Sequence, residues 1–405
     1  MKVGILAGEA SGDNLGAGLM RELKAQTSPS INIEFVGIGG PGMQAQGLCS
    51  LADIEQLNVN GFREPLQKLP SLLKLLRFLV NEFVTRGVDV FIGVDFNVFN
   101  FLLETRLKKA GIRTVHYVSP SVYAWRSGRA EKIEKSTDLL LCLYPFEPDY
   151  YRNTQVEAVF VGHPLADEIR IEDGQGAAKQ QAQFELGLTS DGGKPDKVLA
   201  ILPGSRSSEV RLMLAPFLEA AVLLKDKFPD LRFVIPCLRE VLQHRVSQAI
   251  ASDPRYQALD IKCYQGNARL ALLACDVALI KSGTSTLEAM LLHRPMVVSY
   301  RLGWLSYQFA KRVLRTPYIA LPNILAGKPL VKELLQYEGT PQNLAAALAE
   351  QLKKQEVKET NDKKETEEND GGSQEQAFLA LHKQLARTAD RQAAAAVLGL
   401  IDTKG

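Results

Sequence analysis

The sequence predicts an α/β fold in which two doubly wound sheets follow one another along the chain and face a cleft. Three observations predict it. Short apolar runs recur, each closing on Gly, Ser, Asp or Pro and leading into helical periodicity, the pattern of strand–turn–helix units in a parallel sheet. A polar stretch rich in Gly, Gln and Asp, residues 171–197, interrupts the series and reads as a linker. The length of 405 residues exceeds one ordinary core and suggests about two or three domains.

Composition narrows the class. With 46% hydrophobic and 23% charged residues the chain reads as globular, and a net charge of +2 argues against nucleic-acid binding by bulk electrostatics. Cys49, Cys142, Cys237, Cys263 and Cys275 show no C-x-x-C spacing and no companion histidines, so they read as thiols in a reducing compartment, with no metal site. Met1 to Gly8 runs directly into a strand, and no apolar run has the length to span a bilayer. The expectation is a cytoplasmic protein, soluble or peripheral.

Val3 to Leu6 is the first strand, and Ala7-Gly-Glu-Ala-Ser-Gly-Asp13 is the loop that feeds a helix from Leu15 to Leu23. Gly8 and Gly12 permit a sharp turn, Ser11 or Asp13 can cap the helix, and Gly16 and Gly18 let it approach the sheet. This is a ligand loop at the carboxyl edge of a parallel sheet, although the G-x-G-x-x-G dinucleotide pattern is not met. Ile31 to Ile38 is the next strand, with the turn Gly39 to Gly42 after it.

The run Leu66 to Arg86 is a helix more apolar than one core face requires. At about 100° per residue, Leu69, Leu72, Leu73, Leu76, Leu79, Val80 and Phe83 share one stripe, while Leu75 and Phe78 fall outside it. Lys74 and Arg77, with Lys68, flank those two, which is the make-up of a surface resting on anionic headgroups. Burial of Leu75 and Phe78 under a loop would account for the same periodicity. Val88 to Val94 is a buried strand that ends at Asp95, a position where an α/β enzyme holds a base and where an acid also caps the following helix. Strands at Thr114, Asp138 to Pro145 and Ala158 to Pro164 complete the first array, and His163 is read as a backbone-bonded turn residue.

The second array opens with Val198-Leu-Ala-Ile-Leu-Pro-Gly-Ser-Arg-Ser-Ser-Glu-Val210, where Gly204 lets backbone approach a ligand, Ser205 offers a hydroxyl and Arg206 can neutralise an anion bidentately. Strands at Phe233, Ile261, Val277 and Pro295 to Tyr300 follow. After Val277 to Ile280 the segment Ser282, Gly283, Thr284, Ser285 and Thr286 offers hydroxyls and unpaired N–H groups at a helix start, a place for phosphate. Glu288, in the first turn, can accept from neighbouring hydroxyls such as those of a ribose, and a plain capped helix would use the same residues. Trp304 to Arg315 is a second basic and aromatic stretch; Leu321 to Leu335 reads as a loop into a helix, with Asn323 offering an amide to a ligand. Residues 353–376 read as a mobile polar insertion and 377–405 as a closing helix that packs back on the body, giving domains 1–170 and 198–352 around the linker.

Taken together, Ala7–Asp13, Tyr117–Arg126, Leu202–Val210, Ser282–Glu288 and Leu321–Gly327 make the chain resemble the lipid-A-disaccharide synthase family of glycosyltransferases over essentially its whole length apart from the polar insertion. The resemblance implies a GT-B architecture of two Rossmann-like domains. It implies transfer from UDP-2,3-diacylglucosamine to 2,3-diacylglucosamine 1-phosphate (lipid X), giving UDP and a β-1′,6-linked disaccharide, without a cofactor or metal. By motif it puts Arg206 near the diphosphate, the hydroxyls of Ser282 to Thr286 beside phosphate, Glu288 at the ribose and Asn323 with the active site. Asp95 matches an essential acid, the proposed general base; Glu9, Ser11 and Asp13 line the acceptor side. The family pattern after that acid reads Ala-Pro-Asp-Phe-Asn, whereas here Val98 replaces the second acid, so that Asp95 acts alone or with Glu9 or Asp13. The expected location is the cytoplasmic face of the inner membrane, held by Leu75, Phe78, Lys74 and Arg77; a homodimer is left open. Rival readings are another UDP-sugar enzyme of the same architecture, such as a lipid-linked N-acetylglucosaminyltransferase or an epimerase, and a non-catalytic membrane protein that binds UDP-sugars.

Overall fold

The computed structural model describes residues 1–57, 64–121, 130–174, 176–189, 197–304, 307–308, 312, 316–361 and 374–402. The chain divides into two compact units, Met1–Asp167 with Gln384–Gly405, and Glu168–Lys383. In the first, β1 (Lys2–Ala7), β2 (Glu34–Ile38), β3 (Leu48–Ser50), β4 (Val90–Val94), β5 (Arg113–Tyr117), β6 (Leu139–Cys142) and β7 (Glu157–Phe160) form a sheet of order β3-β2-β1-β4-β5-β6-β7. In the second, β8 (Val198–Leu202), β9 (Arg232–Cys237), β10 (Ile261–Gln265), β11 (Val277–Lys281), β12 (Met296–Tyr300) and β13 (Lys332–Leu335) are ordered β10-β9-β8-β11-β12-β13. The pairings described in both sheets are parallel.

Strands covered on both faces read as unbroken apolar runs, and all five residues of β4 and of β8 are buried. Alternation sorts their side chains between two layers. In the first unit Ile5 and Ile92 join Leu19, Met20 and Leu23 of the helix Ala10–Gln26 and Ala393, Ala394 and Val397 of the helix Ala389–Asp402. Leu6 and Phe91 point the other way, to Leu76, Leu79 and Phe83 of the helix Glu64–Arg86 and Leu103 and Leu107 of the helix Asn97–Lys109. In the second unit Leu199, Ile201, Phe233 and Leu279 pack with Phe217 of the helix Ser207–Lys225 and Leu348 of the helix Pro341–Asn361.

Several expectations change. The presumed linker carries the helix Ala177–Glu185, in which Gln183 is buried and donates to the Ala274 carbonyl at 2.9 Å while Lys179 pairs with Asp276, so this segment is part of the second unit. Leu321–Leu335 runs in the reverse order to that expected, a short helix Leu321–Ala326 and then β13, because Gly327 takes a left-handed φ of 64° and Pro329 follows. The helix beginning at Pro341 continues to Asn361, past the expected boundary at 353, and residues 362–373 lie outside the described ones. The closing segment is two helices, Gln374–Leu385 and Ala389–Asp402, broken at Thr388, where φ is 54° and the Asp167 carboxylate accepts from the N–H groups of Thr388 and Ala389 at 2.8 and 2.6 Å. Gly16 and Gly18 face Met43 and Asp390 rather than the sheet: an added Cβ at Gly18 would stand 2.1 Å from the Asp390 carboxylate.

On the helix Glu64–Arg86, Leu73 is 39% exposed and Phe78 42%, while Leu75 is half-buried against the core. Leu75, expected outside the buried stripe, therefore exchanges places with Leu73: Leu75 packs against the core, while Leu73 lines an open cavity. Lys74 and Arg77 are exposed.

Candidate active site

Each strand order reverses direction once, between β1 and β4 in the first sheet and between β8 and β11 in the second. The loops leaving two such strands diverge and open a crevice at the carboxyl edge. Four of the sequence segments singled out above lie there: Gly8–Asp13, Asp95–Phe96, Pro203–Arg206 and Ser282–Ser285.

In the first unit Asp95 and Phe96 both take left-handed backbone, φ 48° and 46°. Such residues cost about 1–3 kcal/mol each and persist where their surroundings over-determine them. Here the Asp95 N–H donates to the Tyr117 carbonyl at 2.8 Å and the Asn100 amide donates to the Asp95 carbonyl at 2.8 Å. Across from them Gly8 has no room for a side chain, since an added Cβ would lie 2.4 Å from the Phe96 ring. The half-buried Asp95 side chain is thereby presented at the strand end, and its Oδ1 accepts from the Asn97 amide at 3.1 Å. Among the described residues, Asp95 and Glu9, which occupies the N-cap position of its helix, are the acids lining a cavity of about 640 Å³ whose other walls include Leu72, Leu73, Leu76 and Leu102.

The remaining first-unit candidates separate. Ser11 is exposed on the first turn. Asp13 is buried and turned to the glycine-rich loop after β2, where it accepts from the N–H groups of Gly40, Gly42 and Met43 at 2.8, 2.9 and 3.0 Å. Three backbone N–H groups thus hold Asp13, expected on the acceptor side, against this loop. His163 behaves as a turn residue: Nδ1 accepts from the Leu165 N–H at 3.1 Å, and burial pushes its pKa down to about 4. Tyr123 and Trp125 of the aromatic loop, and most of 305–315, lie outside the described residues.

In the second unit a cavity of about 320 Å³ is lined by Gly204, Ser205, Glu209, Lys281, Ser285 and Glu288, with Gly283 and Thr284 also on its wall. Gly204 has φ 129°, and a Cβ there would meet Glu209 at 2.6 Å. Glu209 accepts from the N–H groups of Ser205 and Arg206 at 3.1 and 3.2 Å and pairs with Lys281 at 2.9 Å, tying the loop after β8 to the end of β11. Burial drives the Glu209 carboxyl up, but Lys281 and those two N–H groups outweigh it and hold it below its ordinary value. The Lys281 ammonium also sits 4.7 Å from the Tyr300 ring centroid. Arg206 is exposed at the N-cap of its helix, and among the described residues no carboxylate pairs with its guanidinium.

The hydroxyls divide. Ser282 donates to the Ile319 carbonyl at 2.8 Å and Thr286, fully buried, to the Gly283 carbonyl at 2.7 Å, so these two build the loop, while Gly283 and Thr284 are exposed and Ser285 half-buried. Glu288 is half-buried; desolvation raises its pKa, with Arg269 pulling it down and Glu168 pushing it up. Asn323 is buried, donating to the Val331 carbonyl and Glu333 at 3.0 and 2.8 Å and accepting from the Val331 N–H at 2.8 Å. Its amide joins Leu321–Ala326 to the segment leading into β13 and to β13 itself.

A family model described as lipid-A-disaccharide synthetase matches residues 3–397. The chain belongs to the lipid-A-disaccharide synthetase family. Among relatives, it is 43% identical over 404 residues to the lipid-A-disaccharide synthase of Pseudomonas aeruginosa (strain LESB58), covering 100% of this chain and 99% of that protein. It is 44% identical over 409 residues to that of Yersinia pseudotuberculosis serotype I, covering 99% and 95%. Among solved structures, UDP-GlcNAc 2-epimerase from Neisseria meningitidis bound to UDP-GlcNAc aligns with TM-score 0.58 at 12% identity over 100% of both chains. Acinetobacter baumannii MurG aligns at 0.53 and 15% over 99% of both. These two likenesses show the fold, the GT-B arrangement of two Rossmann-like sheets, and the family membership places the chain among the glycosyltransferases of lipid A biosynthesis.

Reading this lipid-A-disaccharide synthetase family member from sequence missed Glu209 and Lys281, although each adjoins a motif: Glu209 is the third residue of its helix and Lys281 immediately precedes Ser282. It also missed Asn97, which holds Asp95, and two buried residues behind it, Glu104 and His116.

Proposed function

We propose that the chain is an inverting glycosyltransferase that joins UDP-2,3-diacylglucosamine to the 6-hydroxyl of lipid X, releasing UDP. The family match across 3–397 carries this reading, and the chemistry at each sheet's switch point supports it. A β link made from an α-linked nucleotide sugar requires attack opposite the leaving diphosphate. The reaction therefore needs a base on the acceptor hydroxyl and positive potential on the departing UDP. Asp95 is the base. Its carboxylate lies on the wall of an apolar cavity suited to an acyl chain of the acceptor. Arg206, Lys281 and the N–H groups at the start of the helix Ser285–Leu291 take the diphosphate, and Glu288 accepts from the ribose. Glu9, the second acid on that cavity, orients the acceptor.

With purified UDP-2,3-diacylglucosamine and lipid X, the wild type is expected to release UDP and form disaccharide, and UDP-GlcNAc alone to give neither UDP nor an epimer. Asp95→Asn is expected to lower kcat about 10²–10⁴-fold with UDP binding retained. Wild-type turnover by Asp95→Asn would remove the base assignment, and UDP binding by the wild type with no turnover would favour a sensor.

A further inference from the structure

Behind Asp95 a file of polar side chains runs into the core of the first unit. Asn97, Asn100 and Glu104 stand at i, i+3 and i+7 on the inward face of the helix Asn97–Lys109, and His116 meets them from β5. The Asn97 amide nitrogen is 3.1 Å from Asp95 Oδ1 and its Oδ1 is 3.2 Å from His116 Nε2. His116 Nδ1 is 2.6 Å from Glu104 Oε1, and the Thr137 hydroxyl donates to Glu104 Oε2 at 2.9 Å. Glu104 and His116 are both 0% exposed.

The donors and acceptors fix one another. An ionised Asp95 only accepts, so the amide nitrogen of Asn97 faces it and the amide oxygen faces His116. His116 Nε2 must then carry a proton, and a further proton lies in the short contact between Nδ1 and Glu104. The Glu104–His116 dyad is built in rather than tolerated: Gly93, paired with His116 in the sheet register, has no Cβ where Glu104 Oε1 would be 2.3 Å away, and the Phe101 ring stacks on the imidazole at a centroid distance of 4.2 Å. A buried carboxylate–imidazole pair is weak support for stability compared with well-packed apolar residues of the same volume, so its place directly behind the acid points to a use there.

We infer that Glu104 and His116 are positioning residues which, by locking the orientation of the Asn97 amide, hold the Asp95 carboxylate aimed at the acceptor hydroxyl. The inference rests on the reading of Asp95 as base. Glu104 fixes the imidazole, the imidazole fixes the amide, and the amide gives Asp95 a donor that cannot turn away. Glu9 lines the same cavity as Asp95; on neighbouring elements Asp13 is bonded to the Gly40 turn, and Tyr117 of β5 takes the Asp95 N–H on its carbonyl. Lys74 and Arg77 lie on the helix whose leucines wall the cavity, and both are exposed.

The test is the pH profile of kcat/KM, with UDP binding and thermal unfolding as folding controls. Asn97→Leu removes the donor and keeps the branched, four-heavy-atom side chain. Its kcat is expected to fall about ten-fold and the acid limb to move up by about one pH unit, because a carboxylate without its donor is protonated more easily. Glu104→Gln with His116→Phe leaves no stranded charge and is expected to move the limb in the same direction, with Asn97→Leu adding nothing on top. A merely structural dyad would change unfolding and leave the limb in place. If Asp95→Asn is inactive while Asn97→Leu keeps the wild-type limb, the positioning role is wrong and the base stands. If Asp95→Asn turns over normally, base and positioning role fall together. A limb moved by Asn97→Leu but untouched in a folded double variant would remove Glu104 and His116 from the mechanism. Asn97 is half-buried, and its variant alone decides the matter should the double variant not fold.

Discussion

Glu147 shows at single-residue scale how burial sets charge. It is buried in the loop after β6, accepting from the Tyr144 N–H at 2.9 Å, and desolvation raises its pKa from 4.5 to about 8 against the pull of two backbone N–H groups. Between those two values the folded chain holds a proton that the unfolded chain has released. Stability therefore falls as pH rises through that window and levels off above it, a loss on the order of a few kcal/mol. Glu147→Gln is expected to raise Tm by several degrees at pH 8.5 and to change it little at pH 4.5, and equal shifts at both pH values would show that the carboxyl is not held protonated. Legibility at this scale followed position. Asp95 was visible because it ends an apolar run; the dyad was not, because its partners come from a helix and a strand. A signal was nevertheless present: Glu104 occupies a core position of its helix, between Leu103 and Leu107 in the buried face, and a charge there needs a partner.

Among the elements, Asp13 joins the helix after β1 to the short helix Pro41–Ala45 after β2. Three N–H groups would lose their acceptor in Asp13→Ala. Urea unfolding is expected to report a loss of about 2–4 kcal/mol, with the acid limb of the folded enzyme's pH profile unmoved. A thousand-fold fall in kcat at unchanged stability would instead return Asp13 to the chemistry. The strands that carry the switch points, β1, β4, β8 and β11, were readable as apolar runs because both faces of each are covered. The edge strands were not. β3 has three residues, two of them exposed, and β13 begins Lys332-Glu333, so neither offers an apolar run. The structural bonds of Asn323 were hidden for a related reason: its amide staples a helix to such an edge strand, which no apolar run announces.

For the whole molecule, the net charge of +2 gives little general attraction to an anionic surface, and no described helix is long and apolar enough to cross a membrane. Any hold on lipid must be local. The helix Glu64–Arg86 exposes Leu73 and Phe78 beside Lys74 and Arg77, and the helix Asn97–Lys109 exposes Val98 (81%) and Leu102 (46%), one turn apart. Leu73, Val98 and Leu102 also line the cavity that contains Asp95, so the apolar surface leads continuously to the proposed base. Val98 thus extends a lipid-compatible face. Each large side chain transferred from water contributes about 1.5–3 kcal/mol when fully buried, and each nearby Lys or Arg about 1 kcal/mol at an anionic surface. Leu73→Ser with Phe78→Ser is accordingly expected to weaken co-sedimentation with anionic vesicles by about ten- to a hundred-fold, each residue being only partly inserted. High salt should weaken the wild type in addition, since it screens Lys74 and Arg77 but not the apolar contact. Both positions are exposed, so Tm should stay within a degree or two. Vesicle binding that survives the double substitution at unchanged Tm would place the lipid contact elsewhere on the chain.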